Sequence, residues 1–152
     1  MKMRKGFTLV ELLIVIVIIG ILAAAMMLSS GSATASAEAS NIISNLRSLK
    51  AAAVMLYADS MDDFNAGLQP KIADMARYMD NPGKVSTDVY VVEVTATNKK
   101  WYVGAKLGNY TKEVKDKLQG RKESVGLFKA PHDTVPAKGD YDGSNVVYMV
   151  AR

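Results

Sequence analysis

The chain has 152 residues, enough for one modest domain, and 49% of them are hydrophobic. Its formal net charge is +4, but three of the 19 basic side chains stand before residue 7, so the rest of the chain is almost neutral. This charge distribution argues against a basic nucleic-acid-binding surface, although it does not exclude nucleic acid as a partner, and the lack of cysteine excludes a disulfide framework.

A long apolar run occupies residues 7–28 and is interrupted only by Thr8 and Glu11. A bilayer core of ~30 Å requires about 20 apolar residues in a helix, so this run predicts a transmembrane helix. The basic residues before it are expected to stay on the cytoplasmic side and to direct the remainder of the chain outward; they are Lys2, Arg4 and Lys5.

Two common interpretations of this N-terminus explain it poorly. A secretory signal peptide would use the small residues at 33–37 as its cleavage site and release a soluble binding module. Signal-peptide apolar regions usually span about 7–15 residues, and a glutamate near the start suits them poorly. A permanent membrane anchor would leave Glu11 without a role, whereas acids in membrane spans are rare and usually functional.

The segment KGFTLVELLIVIVIIGIL resembles the N-terminal signature of type IV pilins and of the pseudopilins of type II secretion. The resemblance implies that a prepilin peptidase cuts after Gly6 and that the new first residue, Phe7, is N-methylated. Glu11 matches the glutamate of that family. Its implied role is to meet the Phe7 amine of a neighbouring subunit during filament assembly.

The physical chemistry of Glu11 agrees with this role. A lone carboxylate in hydrocarbon costs roughly 2.5–3.5 kcal/mol at the bilayer centre, and a nearby positive charge offsets that cost. Glu11 and Phe7 are four positions apart, so the two can also meet on one face of a single helix. A negative charge in the first turn suits the helix dipole as well.

Helical periodicity continues beyond the apolar run. Apolar residues spaced by three and four form an amphipathic stripe at Ile42, Leu46, Leu49, Ala53 and Leu56. One helix is therefore predicted from about residue 7 to about residue 60. We divide the chain into a cleaved leader (1–6), a transmembrane and filament-core helix (7–28), an amphipathic continuation (29–60) and a globular α+β head domain (61–152).

The head domain shows alternating helix and strand patterns after a linker at residues 61–70. In chain order they predict a short helix within 71–80 that is stopped by residues 81–83, an antiparallel hairpin at 88–97 and 99–107, a surface helix at 110–120, a loop at 121–142 and a final strand at 144–151. The predicted fold class is α+β, with a long N-terminal helix packed on a small antiparallel sheet. The pilin resemblance implies the same architecture.

The sequence contains few residues or motifs typical of an enzyme active site. It has one histidine, His132, in a proline-flanked loop, and no cysteine nucleophile, phosphate-binding glycine loop or zinc-ligand spacing. Short basic clusters at 98–100 and 120–122 are typical of solvated turns. We therefore expect no catalysis.

One segment near the C-terminus suggests a metal site. Oxygen-bearing side chains surround Gly143 at Asp140, Asp142, Ser144 and Asn145. Calcium prefers several oxygen ligands in a tight turn, so these four residues are candidate calcium ligands. The same residue types also form ordinary turns before a strand, which is the simpler interpretation.

The sequence as a whole predicts a structural subunit of a type IV pilus-like filament. The implied partners are the lipid bilayer before assembly, the prepilin peptidase, an inner-membrane assembly platform with its ATPase, and further copies of the chain in a helical filament. The expected location is the bacterial inner membrane for the precursor, with a cytoplasmic N-terminus, and then the cell-surface pilus. A type II secretion pseudopilin in a short periplasmic filament stays an alternative.

Overall fold

The long N-terminal helix is the first element of the fold. The computed structural model describes residues 7–152, without the side chains of residues 28–30. Helix α1, Leu9–Asp59, is 51 residues long and confirms that one helix contains both the apolar run and the amphipathic stripe. Its N-terminal part is long and apolar enough to cross a membrane, by length and composition. The chain divides into two compact units, one up to Thr34 and one from Ala35.

The second unit adds short helices and a four-stranded antiparallel sheet to the C-terminal part of α1. The helices are α2 (Met61–Asn65), α3 (Ile72–Met75), α4 (Lys112–Gly120) and α5 (Lys122–Val125), with 3-10 turns at Ala76–Tyr78 and Pro82–Lys84. The strands are β1 (Tyr90–Val94), β2 (Trp101–Lys106), β3 (Leu127–Phe128) and β4 (Val146–Val150). They lie in the order β1-β2-β4-β3. The predicted α+β fold class is confirmed.

Two segments differ from the sequence-based expectation. The linker at 61–70 contains α2, and the loop at 121–142 contains α5 and the edge strand β3. Helix α5 is a single turn that ends at Gly126, whose φ of +75° favours glycine. Strand β3 has only two residues, which pair with Met149 and Tyr148. Elements this short show no periodicity, and β3 exists only because a distant strand is its partner.

One face of the sheet packs against the amphipathic stripe of α1. The helix contributes side chains that are at most 2% exposed: Ile42, Leu46, Leu49, Ala53 and Leu56. The sheet contributes alternate residues of β2 and β4: Trp101, Val103, Ala105, Val147 and Met149. Burial of each large apolar side chain contributes about 1.5–3 kcal/mol, so this contact holds the second unit together.

The opposite face of the sheet is also covered. Tyr102, Phe128 and Tyr148 form a second apolar cluster there, beneath the loop that follows β3. The hydroxyl of Tyr102 donates to the carbonyl of His132 at 3.1 Å, and the rings of Phe128 and His132 meet edge to face. Strand β2 is therefore buried on both faces, with Trp101 in the cluster against α1 and Tyr102 in the cluster on the opposite face.

Gly104 in β2 makes room for one of these rings. It pairs with Tyr148 of β4. A Cβ at Gly104 would lie 2.7 Å from Cδ1 of Tyr148 and 2.9 Å from Cγ2 of Val91. The ring of Tyr148 thus fills the space that a side chain at this position would need.

We expect Gly104→Val to lower the free energy of unfolding by about 1–3 kcal/mol, because the added side chain overpacks the cluster. The measurement is urea unfolding of the full chain in detergent micelles, followed by fluorescence of the single tryptophan, buried Trp101. Gly108→Ala is the control, since a Cβ at Gly108 meets nothing within 4 Å. An equal loss in both variants would contradict the role of Tyr148.

Candidate functional site

The N-terminal candidate site begins with a contact between Thr8 and Glu11 at the first turn of α1. The N–H and the hydroxyl of Thr8 both donate to Oε2 of Glu11, each at 2.8 Å. The N–H of Glu11 donates back to Oγ1 of Thr8 at 3.3 Å. Thr8 is therefore the N-cap and Glu11 the third helical residue of a capping box.

This cap gives Glu11 a partner within its own chain, which the sequence analysis missed. The signal that could have found it is the pattern T-L-V-E, a threonine three residues before a glutamate at the start of an apolar helix. Backbone donors inside a bilayer must find partners in the protein, and the first turn of a helix has unpaired N–H groups. The Thr8–Glu11 contact supplies acceptors for two of them.

The other predicted processing residues lie beside this cap. Phe7 precedes Thr8, and its side chain is 80% exposed. Gly6 lies outside the described residues. Cleavage after Gly6, methylation of Phe7 and pairing of Glu11 with a free amine therefore stay predictions.

The apolar surface of α1 after the cap is exposed on every side. The large apolar side chains between residues 7 and 27 range from 47% exposure at Val15 to 80% at Phe7. Contiguous apolar surface of this extent marks a membrane or a protein interface, because water disfavours it. The N-terminal unit thus presents an uncovered apolar helix with a capped acid at its start.

The predicted calcium ligand Asp140 is held by local contacts. Its Oδ1 accepts a hydrogen bond from the N–H of Lys129 at 3.2 Å. Its Oδ2 lies 3.2 Å from Nε2 of His132, a distance typical of an ion pair but without the alignment of a hydrogen bond. His132 is half-buried in the loop over the sheet.

The other three predicted ligands use their oxygens in separate contacts. Oδ1 of Asp142 accepts from the N–H of Ser144 at 3.1 Å, and the hydroxyl of Ser144 donates to a nearby carbonyl. Oδ1 of Asn145 accepts from Nζ of Lys115 at 2.7 Å, which places a positive charge where a cation would have to bind. Within residues 7–152, no group of three or more His, Asp or Glu side chains is arranged to hold a metal ion. The calcium site therefore stays a prediction that requires rearrangement of this turn.

Asp133, which the sequence did not single out, connects the loop after β3 to the sheet. Oδ1 of Asp133 accepts from the N–H groups of Thr97 and Asn98 at 3.2 and 3.3 Å, and Nδ2 of Asn98 donates to the carbonyl of Asp133 at 2.9 Å. These bonds join the loop to the β1–β2 turn. The N–H of Asn98 is the main cause that lowers the pKa of Asp133 below its usual value.

Because the folded pKa of Asp133 is lowered, this contact stabilises the fold fully above the unfolded pKa of ~3.9 and loses its effect as the pH falls through the folded value. We expect Asp133→Asn to lower the thermal midpoint at pH 7, and the difference from the unmodified chain to shrink as the pH falls below ~4. Thermal unfolding followed by Trp101 fluorescence measures this. A difference that stays constant down to pH ~2 would show that the charge of Asp133 is not the cause.

We expect Thr8→Ala to weaken the start of α1 by about 0.5–2 kcal/mol, because the N-cap hydroxyl is lost. Thr8→Ser keeps that hydroxyl and is the matched control. Hydrogen exchange of the Glu11 amide, measured on the full chain in detergent micelles, should be faster in Thr8→Ala alone. Equal exchange in all three proteins would contradict the capping box.

Comparison with known families places this N-terminus in a defined class. Residues 1–27 match the model of the prokaryotic N-terminal methylation motif, and the match includes Gly6, Phe7 and Glu11. No curated protein and no solved structure matches the chain significantly. Residues 1–27 thus carry the class III signal of type IV pilins and pseudopilins.

Proposed function

We propose that this chain is the structural subunit of a type IV pilus-like filament. It is cut after Gly6 by a prepilin peptidase, N-methylated at Phe7 and polymerised from the inner membrane. One observation carries the proposal: the methylation motif coincides with a helical segment that is apolar on every side. Such a segment is stable in lipid or among other apolar helices, and further copies of the chain supply the second environment.

The apolar segment links membrane storage to filament assembly. Each large apolar side chain gains about 1.5–3 kcal/mol from burial, so the helix leaves the bilayer only when neighbouring copies cover it at once. Ala23, Ala24 and Ala25 are small enough to let helices approach closely. Head-to-tail association without closure then extends the assembly as an open fibre.

Glu11 can dock a neighbour without giving up its cap. A carboxylate has two oxygens with about four acceptor positions, and the Thr8 donors both bind Oε2. The amine of a neighbouring Phe7 can therefore be accepted in addition to these bonds. A charge-assisted bond of this kind is roughly twice as strong as a neutral one, which favours entry of each new subunit in the correct position.

The proposed role is structural rather than catalytic. Assembly would use an inner-membrane platform and an ATPase as partners, because the sequence of this chain has no nucleotide-binding motif. The precursor would lie in the inner membrane with its N-terminus in the cytoplasm. Electron microscopy of surface filaments separates this role from that of a type II secretion pseudopilin, which carries the same signal.

We expect Glu11→Ala and Glu11→Gln to insert into the membrane and to be cleaved, but to assemble filaments at a yield at least about tenfold lower, equivalent to ~1.4 kcal/mol of lost docking energy. The pair separates two roles of Glu11, because glutamine keeps the capping box and removes only the charge. Filament yield is measured by electron microscopy of sheared surface fractions. Abundant filaments from Glu11→Gln would show that the charge has no docking role.

Processing supplies the control for this experiment. Mass spectrometry of the mature chain should find a methylated Phe7 at its start in the unmodified protein and in both Glu11 variants. A bulky substitution of Gly6 should instead leave the uncut precursor in the membrane. A mature chain that starts near Glu38 would identify an ordinary signal peptide and overturn the proposal.

A further inference from the structure

Arg121, which lies between α4 and α5, contacts one flank of α1. Its Nη1 donates to the hydroxyl of Ser40 at 2.8 Å, and its Nη2 donates to the hydroxyl of Ser36 at 3.0 Å. The two serines are four residues apart, so they lie on one face of the helix in successive turns. The two bonds therefore fix the position of the planar guanidinium beside α1.

The positive charge of Arg121 has no carboxylate partner in the part of the chain that the structure describes. The ion pairs there join His132 to Asp140 and Lys138 to Glu123. A guanidinium has five N–H donors and stays charged at physiological pH, whereas the two serine hydroxyls use two of these donors and carry no charge. Three donors and the full charge of Arg121 therefore remain for a further partner.

A second arginine lines the same cavity. Arg47 lies seven residues after Ser40, which is about two helical turns, so both residues are on one flank of α1. Helical side chains lean toward the N-terminus of their helix, so the long side chain of Arg47 extends back toward Ser40. The side chains of Arg47 and Arg121 thus line one cavity of about 240 Å³. Like Arg121, Arg47 makes no ion pair with any residue that the structure describes.

A hydroxyl group and an apolar wall complete the lining of this cavity. Ser44 lies between Ser40 and Arg47 along α1, and its hydroxyl makes no hydrogen bond within the described residues. The wall consists of Ile43, which is 5% exposed, and half-buried Val125. Apolar surroundings lower the local dielectric constant, so they strengthen a charge-assisted hydrogen bond that forms beside them.

Two guanidinium groups at one cavity repel each other unless an anion lies between them. The chain does not supply that anion from α5, because Glu123, two residues after Arg121, pairs with Nζ of Lys138 at 3.2 Å. An anion from outside the chain would replace the repulsion by two attractive contacts. The unpaired charges of Arg47 and Arg121 therefore indicate an anionic ligand.

The size and the donors of the cavity indicate the chemistry of this anion. Pockets for drug-sized ligands have volumes of about 300–1,000 Å³. A cavity of about 240 Å³ suits a smaller ion. Arginine donors match the geometry of phosphate oxygens, and a phosphate monoester carries close to the two negative charges that two arginines can balance. A carboxylate has a single charge and two oxygens, so it would use only part of this donor set.

We propose that Arg47, Arg121 and the hydroxyl of Ser44 bind a phosphoryl group, supplied by inorganic phosphate or by a small soluble phosphate monoester. The bound group bridges α1 and the segment that follows α4, so it stabilises the contact between them by mass action. The site lies entirely within the second unit, so it operates whether or not the chain forms filaments.

Isothermal titration of inorganic phosphate into the full chain in neutral detergent micelles tests the site. We expect saturable binding to the unmodified chain, weakened at least about tenfold in Arg47→Gln because charge-assisted hydrogen bonds are lost. Arg47 makes no hydrogen bond within the described residues, so this change should leave the fold intact. Arg77→Gln is the matched control, since it removes the same charge from another cavity, and it should bind phosphate as tightly as the unmodified chain.

Thermal unfolding followed by Trp101 fluorescence gives a second readout. Phosphate should raise the thermal midpoint of the unmodified chain more than that of Arg47→Gln. This difference isolates the site, because the general stabilising effect of phosphate as a salt is the same in both proteins. Equal phosphate affinity of the unmodified chain and Arg47→Gln would reject the site, and so would an equal loss of affinity in Arg77→Gln.

The composition of a bilayer distinguishes a soluble phosphate from a lipid headgroup. The titration is repeated in nanodiscs of phosphatidylcholine mixed with phosphatidylglycerol or, in the same proportion, with oleate. Both anionic lipids repel free phosphate through the surface potential, but only phosphatidylglycerol has a phosphoryl group to occupy the site. Equal phosphate affinity in the two nanodiscs supports a soluble ligand. A lower affinity in the phosphatidylglycerol nanodiscs would overturn the soluble source and assign the site to the lipid headgroup.

Discussion

The apolar surface of residues 7–27 is stable only where water is excluded, both before and after any assembly. No side of this segment is polar enough to face solvent, and its large side chains are exposed in the single chain. From Ala35 onward the same helix has one buried face, and the sheet covers it. A single helix thus combines a part that needs lipid or other subunits with a part that has its own core.

The polar start of this helix fits the same constraint. An acid in an apolar segment is costly, but Glu11 accepts two hydrogen bonds from Thr8 and so closes the first turn. The cap uses one carboxylate oxygen for both donors, which leaves the negative charge available to a further partner. Under the proposed function, this remaining charge is what Glu11 offers to the amine of a neighbouring copy.

The second unit shows how the head is built around the remaining helix. The sheet is covered on one face by α1 and on the other by the loop that Asp133 joins to the β1–β2 turn. A sheet can cover only one side of a helix, so the opposite side of α1 stays exposed.

The sequence by itself determined the features that depend on neighbouring residues. Charge, apolar length and the KGFTLVE segment predicted the membrane helix and the processing signal, and spacings of three and four identified the buried stripe of α1. The hairpin and the last strand were also predictable from β-branched and aromatic residues. These signals are local, because periodicity and composition act within one element.

Features that depend on contacts between residues far apart in the chain were decided only by the tertiary structure. The two-residue strand β3 forms through pairing with β4, and Asp133 acts through amides of residues 97 and 98. The candidate calcium oxygens are held in separate contacts, including that of Asn145 with Lys115. The burial of residues 61–152 around α1 was likewise decided by contacts between distant segments. Long-range contacts leave no regular spacing in the sequence, so they had to be observed in the fold.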